Sequence, residues 1–358
     1  MKICVYAISK NEEKFVDRWV DSMKEADAIY VLDTGSTDQT VQKLKNRGVH
    51  VTQKEIKPWR FDVARNASLD LLPEDTDVCV CTDLDEVLEA GWREKVEADF
   101  KENITRLRYN YNWSFDSYGK PAVNFYIEKI HTYGNYIWTH PVHEILTNTN
   151  GTEIFKTDPT ITVNHYPDAN KSRSSYLPLL ELSVKEDPED DRNTHYLGRE
   201  YMYYGKWNEA IDTLIKHLSL PKATWKDERS ASMRFIARSY IHLNRTEEAK
   251  MWYGKAIEEA PYLREPKAER GMLSYQLNEY EIAIPFFKEA LSIPKNEKSY
   301  INEPFCYDGT IEDTLSICLF YTGKKMEAYK YVKIAHELKP DDERIQKNLE
   351  LMKESLKG

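Results

Sequence analysis

The sequence predicts an α/β domain built on a mostly parallel sheet, followed by an all-α solenoid of helical hairpins. Three observations carry this. Short apolar runs alternate with amphipathic stretches over residues 1 to about 167, the signature of strands joined by helical crossovers. From about Arg173 strand-like runs stop, glycine becomes sparse and a hairpin repeat sets in. A length of 358 residues suits two domains, each able to bury its own core.

In the first part, Ile3–Ile8 reads as a buried strand. Glu13–Lys24 reads as a helix with Phe15, Val16, Trp19, Val20 and Met23 on one face. Ala28–Leu32 is a second strand, and Thr37–Arg47 a helix with Thr37 or Asp38 placed to cap it. His50–Thr52 is a short strand, Phe61–Leu72 a helix, and Val78–Thr82 a strand that runs into Asp83-Leu84-Asp85-Glu86. Right-handed crossovers between such strands make a parallel sheet, and ligands bind such sheets beyond the carboxyl ends of the strands. The polar clusters Asn11-Glu12, Asp33-Thr34-Gly35-Ser36 and Asp83-Leu84-Asp85 stand at those ends.

In the second part, Ser175–Lys185 reads as a connecting helix before an acidic turn, Glu186 to Asp191. A repeat follows. Gly205-Lys206-Trp207-Asn208-Glu209-Ala210 aligns with the segments that end in Ala249, Ala283 and Ala328, each with Gly or Asn at the turn. Ala256, Ala290 and Ala335 come seven residues later, and Pro261, Pro294 and Pro340 close three of the units. The interval is 34 residues between Ala249 and Ala283. Small residues where helices cross and a Pro that stops the second helix make this resemble the tetratricopeptide repeat, a protein-binding or dimerisation solenoid. The expected organisation is a catalytic domain over 1–170, a linker over 171–192 and repeats over 193–358.

Composition excludes several classes. The net charge is −10 and the pI about 5.5, which argues against nucleic-acid binding through Lys and Arg on phosphates. No stretch approaches 18 apolar residues, so no membrane span is expected. Met1–Ile8 turns polar too soon for a signal peptide, and a cytoplasmic protein is expected. Cys4, Cys79, Cys81, Cys306 and Cys318 lie scattered within apolar segments. An odd, dispersed count reads as small core residues rather than a disulfide framework.

Asp83-Leu84-Asp85 follows an apolar strand, and two carboxylates two apart on extended backbone point the same way. In a cleft they repel each other unless a cation joins them. Hard oxygens suit Mg²⁺ or Mn²⁺, which can bridge a diphosphate. A charged loop tip would look the same. Asp33, closing the second strand, is placed to accept from a ring N–H or ribose hydroxyl of a nucleotide, with Asn11 in the same pocket; a plain strand-turn-helix is the alternative. The run of aromatics from Tyr109 to Trp138 suits either a sugar-stacking acceptor groove or the core of a half-sheet that covers the site.

Ile8-Ser9-Lys10-Asn11-Glu12, Leu32 to Thr40, Phe61-Asp62-Val63-Ala64-Arg65-Asn66 and Thr82-Asp83-Leu84-Asp85-Glu86 together resemble the ordered signature of family-two glycosyltransferases, whose catalytic domain has the GT-A nucleotide-diphospho-sugar fold. Trp138 to Glu144, Asn164-His165-Tyr166 and the segment from Tyr176 to Tyr201 extend the likeness to a bacterial branch that fuses this domain to tetratricopeptide-like helices and includes the sublancin S-glycosyltransferase.

The resemblance implies that Asn11, Asp33 and Arg65 contact the nucleoside. Asp83 would lie near ribose and metal, Asp85 would bind Mn²⁺ or Mg²⁺, and His165 is the candidate for a further metal ligand. Glu144 is the candidate general base, because an inverting transfer deprotonates the acceptor. The Glu-Asp pair such enzymes often place nearby is absent here. For His165 a structural role at the domain junction stays open, and for Val142-His143-Glu144 a sugar- or phosphate-positioning loop. The implied donor is a nucleotide-diphosphate sugar, UDP-glucose or UDP-N-acetylglucosamine foremost. The implied acceptor is a peptide or protein side chain or a glycan, and the repeats would pair two subunits or select the acceptor. The rivals are a tetratricopeptide adaptor with an inactive transferase domain, and a nucleotidyltransferase. The second requires a Gly-rich basic loop after the first strand, and Ser9-Lys10-Asn11-Glu12 is not one.

Overall fold

The computed structural model describes residues 1–101, 103–168, 174–295 and 298–357. It comprises two compact units, Met1–Ser183 and Val184–Gly358. The domain boundary expected at 170/171 lies outside the described residues.

The first unit begins with β1 (Ile3–Ser9), α1 (Val16–Met23), β2 (Ala28–Asp33), α2 (Thr40–Asn46), β3 (His50–Gln53), α3 (Phe61–Leu69) and β4 (Val78–Cys81). It continues with β5 (Glu86–Leu88), α4 (Trp92–Asp99), β6 (Arg106–Phe115), β7 (Pro121–Thr132), β8 (Tyr136–Thr139), β9 (Ile145–Asn148) and β10 (Phe155–His165), and α5 (Tyr176–Glu186) runs across the division between the units. Among the described residues the main sheet has the order β3-β2-β1-β4-β7-β6-β10-β5, and β8 and β9 form a separate ribbon. β1 lies parallel to β2 and to β4, and β2 to β3. β7 is antiparallel to β4 and to β6, and β10 is parallel to β6. Two reversals restore the direction, so the carboxyl ends of β1, β2, β4, β6 and β10 share one edge. The chain leaves β1 for β2 on one side and returns to β4 on the other, which opens a crevice at that edge.

Burial explains the unbroken apolar reading of the central strands: Ile3 to Ala7 are 0% exposed in β1, with helices or loops over both faces. Trp19 and Trp92 anchor the core, and each finds an acceptor for its indole N–H: Thr82 Oγ1 at 3.0 Å for Trp19, and the Ser22 carbonyl at 3.0 Å for Trp92.

Three local expectations are corrected. α1 starts at Val16 rather than Glu13, after a turn in which the Phe15 N–H donates to the Glu12 carbonyl at 2.9 Å. α2 starts at Thr40 rather than Thr37, and of the two cap candidates it is Asp38 that accepts at its start, from the Thr40 N–H at 2.9 Å. The Thr37 N–H is drawn away to Asn11 Oδ1 at 2.7 Å. Asp83 and Asp85 do not stand on an extended strand. β4 ends at Cys81 and the chain turns at Leu84-Asp85 into β5, so the two carboxylates face different partners.

The second unit holds α6 (Asp191–Tyr203), α7 (Trp207–Ser219), α8 (Lys226–His242), α9 (Thr246–Glu259), α10 (Glu265–Gln276), α11 (Tyr280–Ser292), α12 (Thr310–Tyr321), α13 (Lys325–Leu338) and α14 (Glu343–Glu354). The repeat motif has a backbone cause. Gly205, Asn244, Asn278 and Gly323 take φ of 70°, 58°, 59° and 79°, the left-handed turn that ends a helix and that Gly and Asn adopt most cheaply. Ala210, Ala249, Ala283 and Ala328 are all 0% exposed, where a larger side chain would hold the crossing helices apart. Pro261, Pro294 and Pro340 stand two residues beyond α9, α11 and α13. Among the described residues no helix is long and apolar enough to cross a membrane.

Candidate functional site

Three clusters line the shared carboxyl edge of the sheet. The first joins β1 to β2. Asp33 is 0% exposed. It accepts from Ser9 Oγ at 3.1 Å, from the backbone N–H of Gly35 at 3.2 Å and of Ser36 at 3.0 Å, and from Ser36 Oγ. Asn11, at φ 55°, donates its N–H to Ser36 Oγ at 2.8 Å and accepts from Thr37. Both residues proposed from the sequence therefore shape one loop, with Gly35 at φ 113° allowing its tight return.

The second cluster lies beyond β4. Arg65, 4% exposed on α3, reaches Glu144 Oε1 from Nε at 2.6 Å and Asp83 Oδ1 from Nη2 at 2.8 Å. Lys129, on β7, donates to Asp83 Oδ2 at 3.3 Å and to Glu86 Oε1 at 2.9 Å. Glu86, 2% exposed, also accepts from the Tyr111 hydroxyl and from the Asp83 N–H, each at 2.9 Å. Burial alone would raise the pKa of Asp83, but Arg65 and Lys129 outweigh it and hold the carboxyl well below the usual range. Burial would likewise lower that of Lys129, and Asp83 and Glu86 reverse this, so the ammonium persists.

The Phe61–Asn66 motif has a positional reason. The Asn66 side chain exchanges two hydrogen bonds with the Trp138 backbone, both at 2.8 Å, and the Phe61 N–H donates to the Pro141 carbonyl at 2.9 Å. α3 thereby fixes the ribbon of β8 and β9, and with it Glu144.

The third cluster lies at the end of β10. His165 Nε2 faces Asp85 Oδ2 at 3.5 Å, while Nδ1 lies 3.0 Å from the Trp113 carbonyl. A carbonyl only accepts, so Nδ1 carries a hydrogen and Nε2 of the neutral ring presents its lone pair to a carboxylate. Two acceptors that face each other call for a proton or a cation between them. A ring N–H tied to a backbone carbonyl is the usual support of a metal-ligating His, so Asp85 and His165 fit a divalent ion. Burial lowers the proton affinity of His165, but Asp85 and the Trp113 carbonyl outweigh it and the pKa rises above 6.5. Trp113 stacks on the imidazole at 4.5 Å, and Phe115 stacks on Tyr166 at 5.2 Å. Asp83 is engaged by Arg65 and Lys129 instead.

The structure thus brings Arg65, Asp83 and Glu144 together, Asp85 and His165 together, and Asn11 and Asp33 together. Sequence reasoning missed Lys129 and Glu86. The visible signal for Lys129 was the charged pair Glu128-Lys129 set between Ile127 and Ile130. Of the aromatic run, Tyr109, Tyr111, Tyr136 and Trp138 are core residues, whereas Trp113 is 46% and Tyr118 57% exposed.

Residues 4–151 match the family model of glycosyl transferase family 2, and residues 235–262 and 268–297 match that of the tetratricopeptide repeat. No curated protein matches the chain. Among solved structures, a crystal structure of MamA is 19% identical, covering 50% of this chain and 99% of its own at a TM-score of 0.38. A crystal structure of YrrB, described as a TPR protein with an unusual peptide-binding site, is 16% identical, covering 50% of this chain and 84% of its own at a TM-score of 0.40. The chain carries a glycosyl transferase family 2 domain in its first unit and tetratricopeptide repeats in its second.

Proposed function

We propose that the chain is an inverting, metal-dependent glycosyltransferase that moves a sugar from a UDP-linked donor to a peptide or protein side chain or a glycan. Transferase activity in general accords with the family 2 domain, and such domains generally use a nucleotide-sugar donor and a divalent metal. The observation that carries the finer reading is the meeting of Asp85 and His165 at the sheet's carboxyl edge, at 3.5 Å, with the second ring nitrogen held by a backbone carbonyl.

In this reading Asp85 and His165 hold Mn²⁺ or Mg²⁺, which would neutralise the leaving diphosphate. The loop of Asn11 and Asp33 receives the nucleoside. Arg65 fixes Asp83 beside the ribose and orients Glu144. Glu144 takes the proton of the acceptor as it attacks the anomeric carbon. Exposed Trp113 and Tyr118 offer faces on which an acceptor sugar or aromatic side chain could stack. The catalytic domain is assigned to residues 1–170, the linker to 171–192 and the repeats to 193–358, where they select the acceptor or pair two subunits. The resemblance of the sequence motifs to the sublancin branch suggests a peptide side chain as acceptor. Five buried cysteines without a disulfide suit a reducing cytoplasm.

The test is thermal shift of the full chain with nucleotide diphosphates and their sugars, with and without Mn²⁺. A ligand that binds only the folded state raises the melting temperature with its concentration. A Mn²⁺-dependent shift with one UDP-sugar, lost in Asp85→Ala, is the expected result. A full shift in that variant overturns the metal assignment, and no shift with any nucleotide favours the adaptor reading.

A further inference from the structure

Two imidazoles and a carboxylate meet inside the helical unit, far in sequence from the residues assigned above. His195 lies on α6, His217 in the last turn of α7 and Glu228 in the first turn of α8. They are 1%, 0% and 6% exposed. Each offers a donor atom, and the three atoms lie within 4.8 Å of one another.

The surroundings orient these groups. Ser232, one turn after Glu228, sits between the rings, its Oγ 2.7 Å from His195 Nδ1 and 2.9 Å from His217 Nδ1. A hydroxyl oxygen has two acceptor lone pairs and can take an N–H from both rings. The Tyr300 hydroxyl donates to Glu228 Oε2, which leaves Oε1 to face inward. His217 Nε2 lies 3.4 Å from that oxygen, is fully buried and makes no hydrogen bond. A buried nitrogen without a hydrogen-bond partner is costly, and here it points at a carboxylate. Ser232 on the Nδ1 atoms of both rings and the Tyr300 hydroxyl on Glu228 Oε2 hold the three groups in place, as hydrogen-bonding supports do around metal ligands. Arg192 adds positive charge near Glu228, so the carboxylate is also sustained without a metal.

We propose that His195, His217 and Glu228 form a buried three-ligand site for a divalent transition-metal ion, zinc foremost, that ties α6, α7 and α8 together. Two nitrogens and one oxygen suit zinc or cobalt rather than calcium or magnesium. The site is separate from Asp85 and His165, and its role is to staple the start of the helical array.

The test uses the full chain, stripped with a chelator, dialysed and titrated with zinc alone in a calorimeter. In the Asp85→Ala background, which removes the other proposed metal site, one equivalent of bound zinc that is lost when His217→Gln is added is expected. Zinc should also raise the melting temperature of Asp85→Ala but leave the double variant with His217→Gln unmoved, with each variant shown to be folded by circular dichroism. Cobalt should give a visible absorption band in Asp85→Ala and none in the double variant. Absence of zinc binding in folded Asp85→Ala, or an undiminished equivalent in the double variant, overturns the proposal. Should His217→Gln fail to fold, Glu228→Gln decides by the same criterion, because it keeps the side-chain shape and an acceptor for Tyr300.

Discussion

Lys129→Met removes the cation that joins Asp83 and Glu86. The methionine keeps the length and apolar stem of the side chain, so packing on β7 changes little and the charge is the perturbation. Glu86 would be left 2% exposed with only the Tyr111 hydroxyl and one backbone N–H as partners. Removing one partner of a fully buried ion pair costs about 3–5 kcal/mol. The Lys129 side chain is 21% and the Asp83 side chain 33% exposed, and Asp83 keeps Arg65, so water and the remaining pair relieve part of this. A loss of about 2–3 kcal/mol at neutral pH is expected. Hydrogen exchange at amides of β1, β4 and β7 reads the first unit by itself and avoids the two-unit unfolding curve. The double variant Lys129→Met with Glu86→Gln removes the stranded charge and should recover about 1–2 kcal/mol of the loss. A single variant within about 0.5 kcal/mol of the parent, or a double variant no more stable than the single, would refute the account.

Glu144→Gln should keep Mn²⁺-dependent donor binding in thermal shift and slow transfer by about 10²–10⁴, the usual reach of a general base; transfer at the parental rate would put the base elsewhere. In the second unit, Arg234 and Arg238 both donate to Glu269, which is 6% exposed. Burial would raise the Glu269 pKa, but the two guanidinium groups outweigh it and hold it down at about 2. A depressed carboxylate pKa stabilises the fold above its unfolded value of 4.5, and that contribution is lost as pH falls from there toward 2. Urea unfolding of the second unit should therefore steepen in acid over that window and flatten in Glu269→Gln; an unchanged slope counts against the pairing. Ala249→Leu, at a helix crossing with 0% exposure, should cost about 1–3 kcal/mol through overpacking, and a parental melting temperature would show that the crossing is loose.

Local chemistry was legible in the sequence because it depends on neighbours along the chain. The alternation over residues 1 to about 167 made the parallel sheet readable, and the Gly and Asn turns with their following Ala residues made the hairpins readable, since backbone φ and side-chain size decide both. The candidates at strand ends were visible for the same reason: a parallel sheet aligns its carboxyl ends, so polar residues there must gather.

Which of them meet was a matter of the tertiary structure. Asp83 and Asp85 look like a pair in sequence, yet the turn at Leu84 sends Asp83 to Arg65 and Lys129 and Asp85 to His165. Lys129 comes 46 residues after Asp83, and only the antiparallel pairing of β7 with β4 brings them together. His195, His217 and Glu228 carry no common motif, because three separate helices supply them and only helix packing sets their spacing. Periodicity along the chain reports the faces of elements, and the meeting of side chains from distant elements depends on sheet order and helix packing.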